Sequence, residues 1–205
     1  MKLLITGFEP FHDHPLNPSQ VLVENLPDQH GNVRLIKGIL PVHHIQGPEK
    51  LLTLLHTHQP DAVLALGLAA NRAKISLERV AINLMDFSIA DNAGVTITGQ
   101  PIDPNGPTAY FSTLPLDNLV SALKYAGIPA EISLSAEAYL CNQVFYTLMH
   151  WVSLQSKAIS AGFIHLPALP EQAAMTNQPM PPMTLNQLIK ATHLIIDTIT
   201  HTQAS

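Results

Sequence analysis

Residues 62–67 read AVLALG, an uninterrupted apolar run that follows Pro60 and Asp61. A strand that is buried on both faces has this pattern, and such strands are typical of parallel sheets covered by helices on both sides. The run LLITGF at residues 3–8, closed by a polar turn, has the same character. These two runs predict the centre of a sheet in an α/β protein.

Segments on either side of these runs alternate between strand-like and helix-like patterns. Asn17-Pro18-Ser19 predicts a helix start, because it supplies a capping residue and a proline in the first turn. Further predicted strands cover residues 33–42, 75–84, 130–134 and 162–166, and further predicted helices begin at 47–49 and cover 116–125, 141–152 and 184–200. Strands separated by helices predict one α/β domain over residues 1–205, with a mostly parallel sheet between two helical layers.

Two long irregular stretches interrupt this alternation. Residues 91–107, DNAGVTITGQPIDPNGP, are dense in turn-forming residues and predict a hairpin around residues 95–97. Residues 167–183 carry several prolines and predict a second loop. Loops of this length are either functional covers or plain surface structure, and the sequence leaves both readings open.

The composition narrows the class of protein. Hydrophobic residues make up 46% of the 205 residues and charged residues 12%, which favours a compact fold. The formal charge of -5 and ten scattered Lys and Arg residues give no basic stripe, so no nucleic-acid partner is expected. One cysteine cannot form an internal disulfide. With no apolar run long enough for a bilayer, and an opening MKLLITGFEP too short for a signal peptide, we expect a soluble cytoplasmic protein without a membrane partner.

Eleven histidines raise the question of a metal site. Two pairs considered as ligands are His12 with His14 and His43 with His44, and neither has the H-E-x-x-H or Cys/His spacing that arranges ligands around one ion. We therefore expect neither a metal nor a cofactor.

Cys141, the only cysteine, stands in AYLCNQVFY at the start of a predicted helix that follows a predicted strand. In α/β sheets, catalytic groups gather at the carboxyl ends of strands. A helix N-terminus favours a thiolate, and its amides can bind an oxyanion. Free cysteines are also among the most buried and inert residues, so a nucleophile and a core residue both remain open.

A nucleophilic thiol needs a base and a carboxylate that orients the base. His165 ends the short predicted strand in FIHLP, where an imidazole would project over the same sheet edge. Glu78 in ISLERVAIN is the matching acid, because a carboxylate inside an apolar strand is costly unless it is paired. An ordinary ion pair with its neighbour Arg79 is the competing explanation.

Seven motifs occur in order along the chain: TGFEPF, NPS, ERVAIN, a DN–G–QP–D segment, GPTAYFSTLP, YLCN and FIHLPALPEQ. Together they resemble the pyroglutamyl peptidase type I family, also called pyrrolidone carboxyl peptidase, over nearly the whole chain. The resemblance implies a twisted central sheet, a cytoplasmic homotetramer, and a cysteine-type omega peptidase that removes N-terminal pyroglutamyl residues from peptides through a thioester. It places the nucleophile at Cys141, the base at His165 and the orienting carboxylate at Glu78.

The resemblance also implies a pocket for the substrate's neutral lactam ring. Such a ring needs flat apolar walls and a few hydrogen bonds. The matching positions are Phe8, Phe11, Val42, Leu68, Ile89, Tyr139 and Leu140. Without the resemblance, a place in the hydrophobic core is the better interpretation of the two phenylalanines than a place in a pocket, because phenylalanine is usually buried.

The chain departs from the family's usual letters around this pocket. The usual G-Q-A-G-G-R loop is GLAANR, so Leu68 replaces a glutamine, for which Asn71 is a partial substitute. The usual T-A-G-T is SAEA at residues 135–138, which puts Glu137 near the thiol, and Ser88 stands where arginine is common. Three hypotheses follow: a pyroglutamyl peptidase, a thiol peptidase with altered acyl specificity, or an inactive binding protein of the same fold.

Overall fold

The computed structural model of the chain describes residues 1–11, 15–175 and 182–203. His12 and His14, one of the two histidine pairs, lie outside these residues. Within the described part, no helix combines the length and the apolar character needed to span a bilayer.

A seven-stranded sheet forms the centre of the fold, with strand order β2-β3-β1-β4-β9-β5-β8. Its strands are β1 (Lys2–Phe8), β2 (Gln29–His30), β3 (Val33–Leu40), β4 (Ala62–Leu68), β5 (Ile75–Glu78), β8 (Ala130–Ser133) and β9 (Ser160–Leu166). Strands β3, β1, β4 and β9 run parallel, β5 joins β9 antiparallel, and β8 runs parallel to β5. The predicted mostly parallel sheet is confirmed. The remaining strands, β6 (Val80–Ile82) and β7 (Ala109–Phe111), form a separate antiparallel pair.

Helices cover both faces of the sheet, as predicted. They are α1 (Pro18–Asn25), α2 (Gln46–His58), α3 (Leu116–Tyr125), α4 (Leu140–Ser153), α5 (Pro170–Met175) and α6 (Leu185–Gln203). Successive residues of β1 point to opposite faces: Leu3 packs in a core with α1, α3 and α6, whereas Leu4 packs in a second core with α2 and α4. The central strands are therefore buried on both sides, which is why AVLALG is apolar throughout.

Three predicted segments differ from the structure. The predicted strand at 75–84 is two strands in different sheets, β5 and β6, which part at Arg79. The predicted hairpin at 95–97 contains no strand, although Phe87 donates to the carbonyl of Ile97 and Met85 bridges Gln100. The predicted loop at 167–183 contains helix α5.

Candidate active site

Cys141 is the second residue of α4, where the chain leaves an extended Tyr139 and turns into the helix. The Tyr139 side chain does not cap the helix, so the amides of its first turn remain available to a ligand. The next residue, Asn142, is fully buried; its amide donates to the carbonyls of Ile82 and Leu84 and accepts from the Ile82 amide. This side chain anchors the helix start on β6 and with it the thiol.

His165, Glu78 and Arg72 form one buried network. His165 Nδ1 lies 2.7 Å from Glu78 Oε1, and Arg72 donates to the same oxygen at 2.7 Å. The register explains the first contact: Ser76 pairs with His165, so Glu78, two residues on, lies on the same sheet face as the imidazole. Arg72 also donates to the Ser135 carbonyl at 3.0 Å and so ties two loops together. A carboxylate on Nδ1 leaves Nε2 of His165 as the nitrogen that can take a proton.

Gly67 leaves room for the Cys141 sulfur beside the strand that carries His165. Gly67 of β4 pairs with His165 of β9, and a Cβ atom on Gly67 would stand 2.9 Å from Cys141 Sγ. The same atom would stand 2.8 Å from the ring of Phe163. The absence of a side chain at this position gives the sulfur its space beside the strand that carries the histidine.

Cys141 is partly accessible through a cavity, but its surroundings disfavour a thiolate. Burial, as the largest cause, and the charges of Glu137 and Glu78 together raise the pKa of the Cys141 thiol to about 12, and the charge of Arg72 opposes them. The thiol is therefore protonated at neutral pH. An attack by this sulfur needs a base that removes the proton during the reaction.

One cavity of about 460 Å³ opens at the carboxyl ends of β1 and β4 and contains both Cys141 and His165 in its lining. All seven residues predicted to bind the substrate line this cavity: Phe8, Phe11, Val42, Leu68, Ile89, Tyr139 and Leu140. Glu78 lies behind it, fully buried. The structure thus brings together every residue proposed from the sequence.

Hydrogen bonds around the cavity hold its apolar walls. Ser19 Oγ accepts the Phe8 amide at 2.9 Å, and Asn17 caps α1 by accepting the Ser19 amide. Glu9 accepts from the Val42 amide at 3.0 Å. The TGFEPF and NPS motifs therefore fix two walls through backbone contacts. On the opposite wall, Tyr139 donates to the Ala90 carbonyl.

The sequence did not single out Arg72 as a partner of Glu78. Arg79, which was the competing explanation for Glu78, lies 3.9 Å from Asp117, and Glu78 pairs with Arg72 instead. Arg72 follows the carboxyl end of β4 in the GLAANR loop. That position is the feature of the sequence that could have indicated a role at the site. Asn71, the partial substitute for the missing glutamine, also lines the cavity, and the lining residues that were not predicted to bind are Asn17, Ala69, Ala70, Ser88, Ala136 and Glu137.

Glu137 adopts a left-handed backbone conformation, with a φ angle of 62°. This conformation suits glycine, which the resemblance leads one to expect there, and is unfavourable for glutamate. The side chain is exposed and lines the cavity. A strained, charged residue therefore stands at the opening of the site.

His43, His44 and Asp91 are the described residues whose arrangement could hold a metal ion, with ligand atoms within 4.8 Å of one another. Their hydrogen bonds account for the cluster in another way. The two oxygens of Asp91 accept from the His44 ring and from the amides of His44, Ala93 and Val95. His43 Nδ1 accepts the amides of Ile45 and Gln46 at the start of α2. Because the acceptors are already engaged, we interpret the cluster as a structural clasp between two loops.

Known proteins of one family are similar to this chain over nearly its whole length. A pyrrolidone-carboxylate peptidase of Vibrio vulnificus (strain YJ016) is 45% identical over 203 residues, which cover 98% of this chain and 94% of that protein. A mutant pyrrolidone carboxyl peptidase from Pyrococcus furiosus has a similar structure, with a TM-score of 0.95 at 37% identity, over 99% of this chain and 100% of the other. Pyroglutamyl peptidase I of Bacillus amyloliquefaciens gives 0.92 at 35% identity, over 98% and 97%. Residues 1–202 match the family model for pyroglutamyl peptidase, and the chain therefore belongs to the pyroglutamyl peptidase family.

Proposed function

We propose that this chain is a cysteine peptidase that hydrolyses the bond after an N-terminal pyroglutamyl residue. The observation that carries the proposal is a single cavity that combines a thiol at a helix start, a carboxylate-bound imidazole and apolar walls. Family membership supports the same activity. In this proposal Cys141 is the nucleophile, His165 the base and Glu78 the group that orients His165.

The geometry suggests the following order of events. His165 Nε2 takes the proton of Cys141 while Sγ bonds to the pyroglutamyl carbonyl carbon, and the carbonyl electrons move to oxygen. Amides of the first turn of α4 stabilise that oxyanion. The oxyanion collapses, the C–N bond breaks, and the imidazolium protonates the departing amine. Water, deprotonated by His165, then attacks the thioester and releases pyroglutamate and the thiol.

Glu78 and Arg72 act on His165 rather than on the substrate. A negative carboxylate 2.7 Å from Nδ1 favours the imidazolium that forms during the attack. Arg72, bound to the same oxygen, keeps the buried carboxylate aligned. We assign both as positioning residues.

The test is turnover of a fluorogenic pyroglutamyl amide. Cys141→Ser and His165→Gln should each lower kcat/KM by at least about 1,000-fold, because the nucleophile and its base act as one unit and the loss of either removes most of the catalysis. His56→Gln, a change at an exposed histidine of α2, is the matched control and should keep full activity. Correctly folded wild-type protein without turnover would contradict the proposal.

Two observations favour the alternatives. Leu68 in the cavity replaces a polar partner, which favours a different acyl group, and a panel of N-blocked peptides decides between the two specificities. The raised pKa of Cys141 favours an inactive binding protein. Because Cys141 is the only cysteine, a trapped acyl-enzyme seen by mass spectrometry would exclude that reading directly.

The proposal extends to the assembly and location that the resemblance implies. We expect residues 1–205 to act as one domain, in a cytoplasmic homotetramer that acts on N-terminally blocked peptides. Sedimentation equilibrium of the purified protein tests the tetramer.

A further inference from the structure

The charges around the cavity do not balance. Arg72 lines the cavity, but its guanidinium lies 2.7 Å from the Glu78 carboxylate. His165 contacts the same carboxylate. Glu137 also lines the cavity, and among the described residues it has no ion-pair partner within 4.0 Å. The cavity therefore carries one uncompensated negative charge, at Glu137.

That charge lies at the open side of the cavity. Phe8 and Leu140, which belong to the apolar wall, are buried, whereas Glu137 is exposed. Glu137 is also close enough to Cys141 for its charge to act on the thiol. A neutral lactam bound against the apolar wall with its carbonyl at Cys141 must send the rest of the peptide out towards solvent. If the peptide leaves on the side of Glu137, the residue that follows the pyroglutamyl group passes its carboxylate.

We infer that Glu137 is a specificity-determining residue that favours a cationic residue directly after the pyroglutamyl group and disfavours an acidic one. The inference rests on the proposed function, since it concerns the leaving part of the same substrate. A carboxylate without a partner attracts a Lys or Arg side chain and repels Asp or Glu. Its left-handed backbone fixes the direction in which the side chain leaves the loop.

The size of the preference follows from the exposure of Glu137. Charge pairs at the protein surface are weakened by water and salt, so the ratio of kcat/KM for lysine over glutamate at this position should be about three- to tenfold. The same ratio should shrink when salt is raised to about 0.5 M, because the Debye length shortens. A preference based on side-chain shape would not respond to salt.

The experiment compares pyroglutamyl-lysyl, pyroglutamyl-glutaminyl and pyroglutamyl-glutamyl amides. Wild-type protein should prefer them in that order, and Glu137→Gln should bring the lysine-to-glutamate ratio close to one. Glu49→Gln removes an equal charge from an exposed acid of α2 outside the cavity lining and should leave the ratio unchanged. A ratio that Glu137→Gln does not alter would overturn the inference.

Failure of the proposed function is separable from failure of this inference. Hydrolysis of the neutral glutaminyl amide tests the function, since no charge contributes to it. If wild-type protein hydrolyses none of the three, the binding of the same peptides, measured by fluorescence polarisation with a C-terminal label, replaces kcat/KM. The same order of affinity, abolished in Glu137→Gln, is then expected, and equal affinities would overturn the inference.

Discussion

At the scale of single residues, the proposed mechanism joins a protonated thiol, Cys141, to an imidazole, His165, that Glu78 already orients. Burial, Glu137 and Glu78 raise the pKa of Cys141, so a standing thiolate is not the resting state. His165 is held at Nδ1 by Glu78 and leaves its other nitrogen for the proton. The reaction therefore depends on proton transfer in the transition state, and a substrate that displaces water from the cavity strengthens the charge interactions on which that transfer relies.

The pH dependence of thiol alkylation tests this resting state. Because the pKa of Cys141 is raised to about 12, reaction with iodoacetamide should be slow at neutral pH and still rising above pH ~10, whereas free glutathione levels off earlier. Glu137→Gln removes one of the charges that raise the pKa, so its profile should move to lower pH. The control Glu49→Gln should not move it. Rapid alkylation at neutral pH with an early plateau would show a standing thiolate instead.

The backbone of Glu137 should store measurable strain. The left-handed conformation costs a non-glycine residue about 1–2 kcal/mol. Glycine avoids this cost but loses more conformational entropy on folding, which offsets part of the gain. Glu137→Gly should therefore stabilise the fold by about 1 kcal/mol and raise Tm by about 2–4 °C. Glu137→Gln keeps the Cβ atom and should give no such gain. Equal gains in both variants would mean that charge, and not backbone strain, is the cause.

Most of the side chains that line the cavity or contact His165 could be predicted from the sequence, because they stand in the family's motifs, whereas Leu68 is a departure from the family's usual loop. The contact of Arg72 with Glu78 could not be predicted, because Arg79 is adjacent to Glu78 in the sequence and was the partner considered there. Adjacent residues of an extended chain point to opposite sides, so Arg79 is directed away from the carboxylate next to it. Arg72 reaches Glu78 through a loop whose path no local pattern describes.

At the scale of elements, the loops that carry the pocket walls depend on clasps. Asn92 donates its amide to the Val42 carbonyl, and Glu9 accepts from the side chain of Asn92. Asp91, buried beneath them, binds the loop that contains His44 to the loop that contains Val95. The apolar walls of the cavity are therefore positioned by polar groups that do not line it.

The Asp91 clasp should appear in the pH dependence of stability. Burial raises the pKa of Asp91, but hydrogen bonds from His44 and from backbone amides outweigh it and lower the pKa from 3.8 to about 2. A carboxyl group whose pKa is lower in the folded state than in the unfolded state stabilises the fold at pH values above its unfolded-state pKa. This contribution, about 2 kcal/mol, is lost as the pH falls from about 4 to about 2. Asp91→Asn should lower the free energy of unfolding by about this amount at pH ~6, with a shrinking difference towards pH ~2.

Urea unfolding of wild-type protein and Asp91→Asn across this pH range measures the effect. Asp117→Asn is the control, because Asp117 is an exposed acid of α3 whose side chain is 86% accessible. A difference between wild type and Asp91→Asn that stays constant with pH would show that the ionised carboxylate is not what the clasp needs.

The segment 75–84 shows why the boundaries of strands are hard to predict from the sequence. Its apolar residues alternate as one strand would, yet β5 joins the central sheet and β6 pairs with β7. At the break, the Arg79 amide donates to the Ser133 carbonyl and its carbonyl accepts from Ser112. A strand can change partners without any change in its own pattern, because the partners are set by distant segments.

At the scale of the whole molecule, the class of fold followed from apolar runs and their alternation with helices. The order of the strands did not, because β9, late in the chain, lies between β4 and β5. This placement depends on contacts between residues about 100 positions apart, such as Gly67 with His165. The site is assembled only when that long-range pairing has formed.

The position of β9 between two partners also bears on how this chain could diverge. Backbone pairing on both sides, to Gly67 and to Ser76, holds His165 independently of the loops around the cavity. The departures at Leu68, Ser88 and Glu137 all lie at the end of a strand or in loops. Substitutions at the opening of the cavity could therefore change substrate preference while the backbone pairing that holds His165 stays the same.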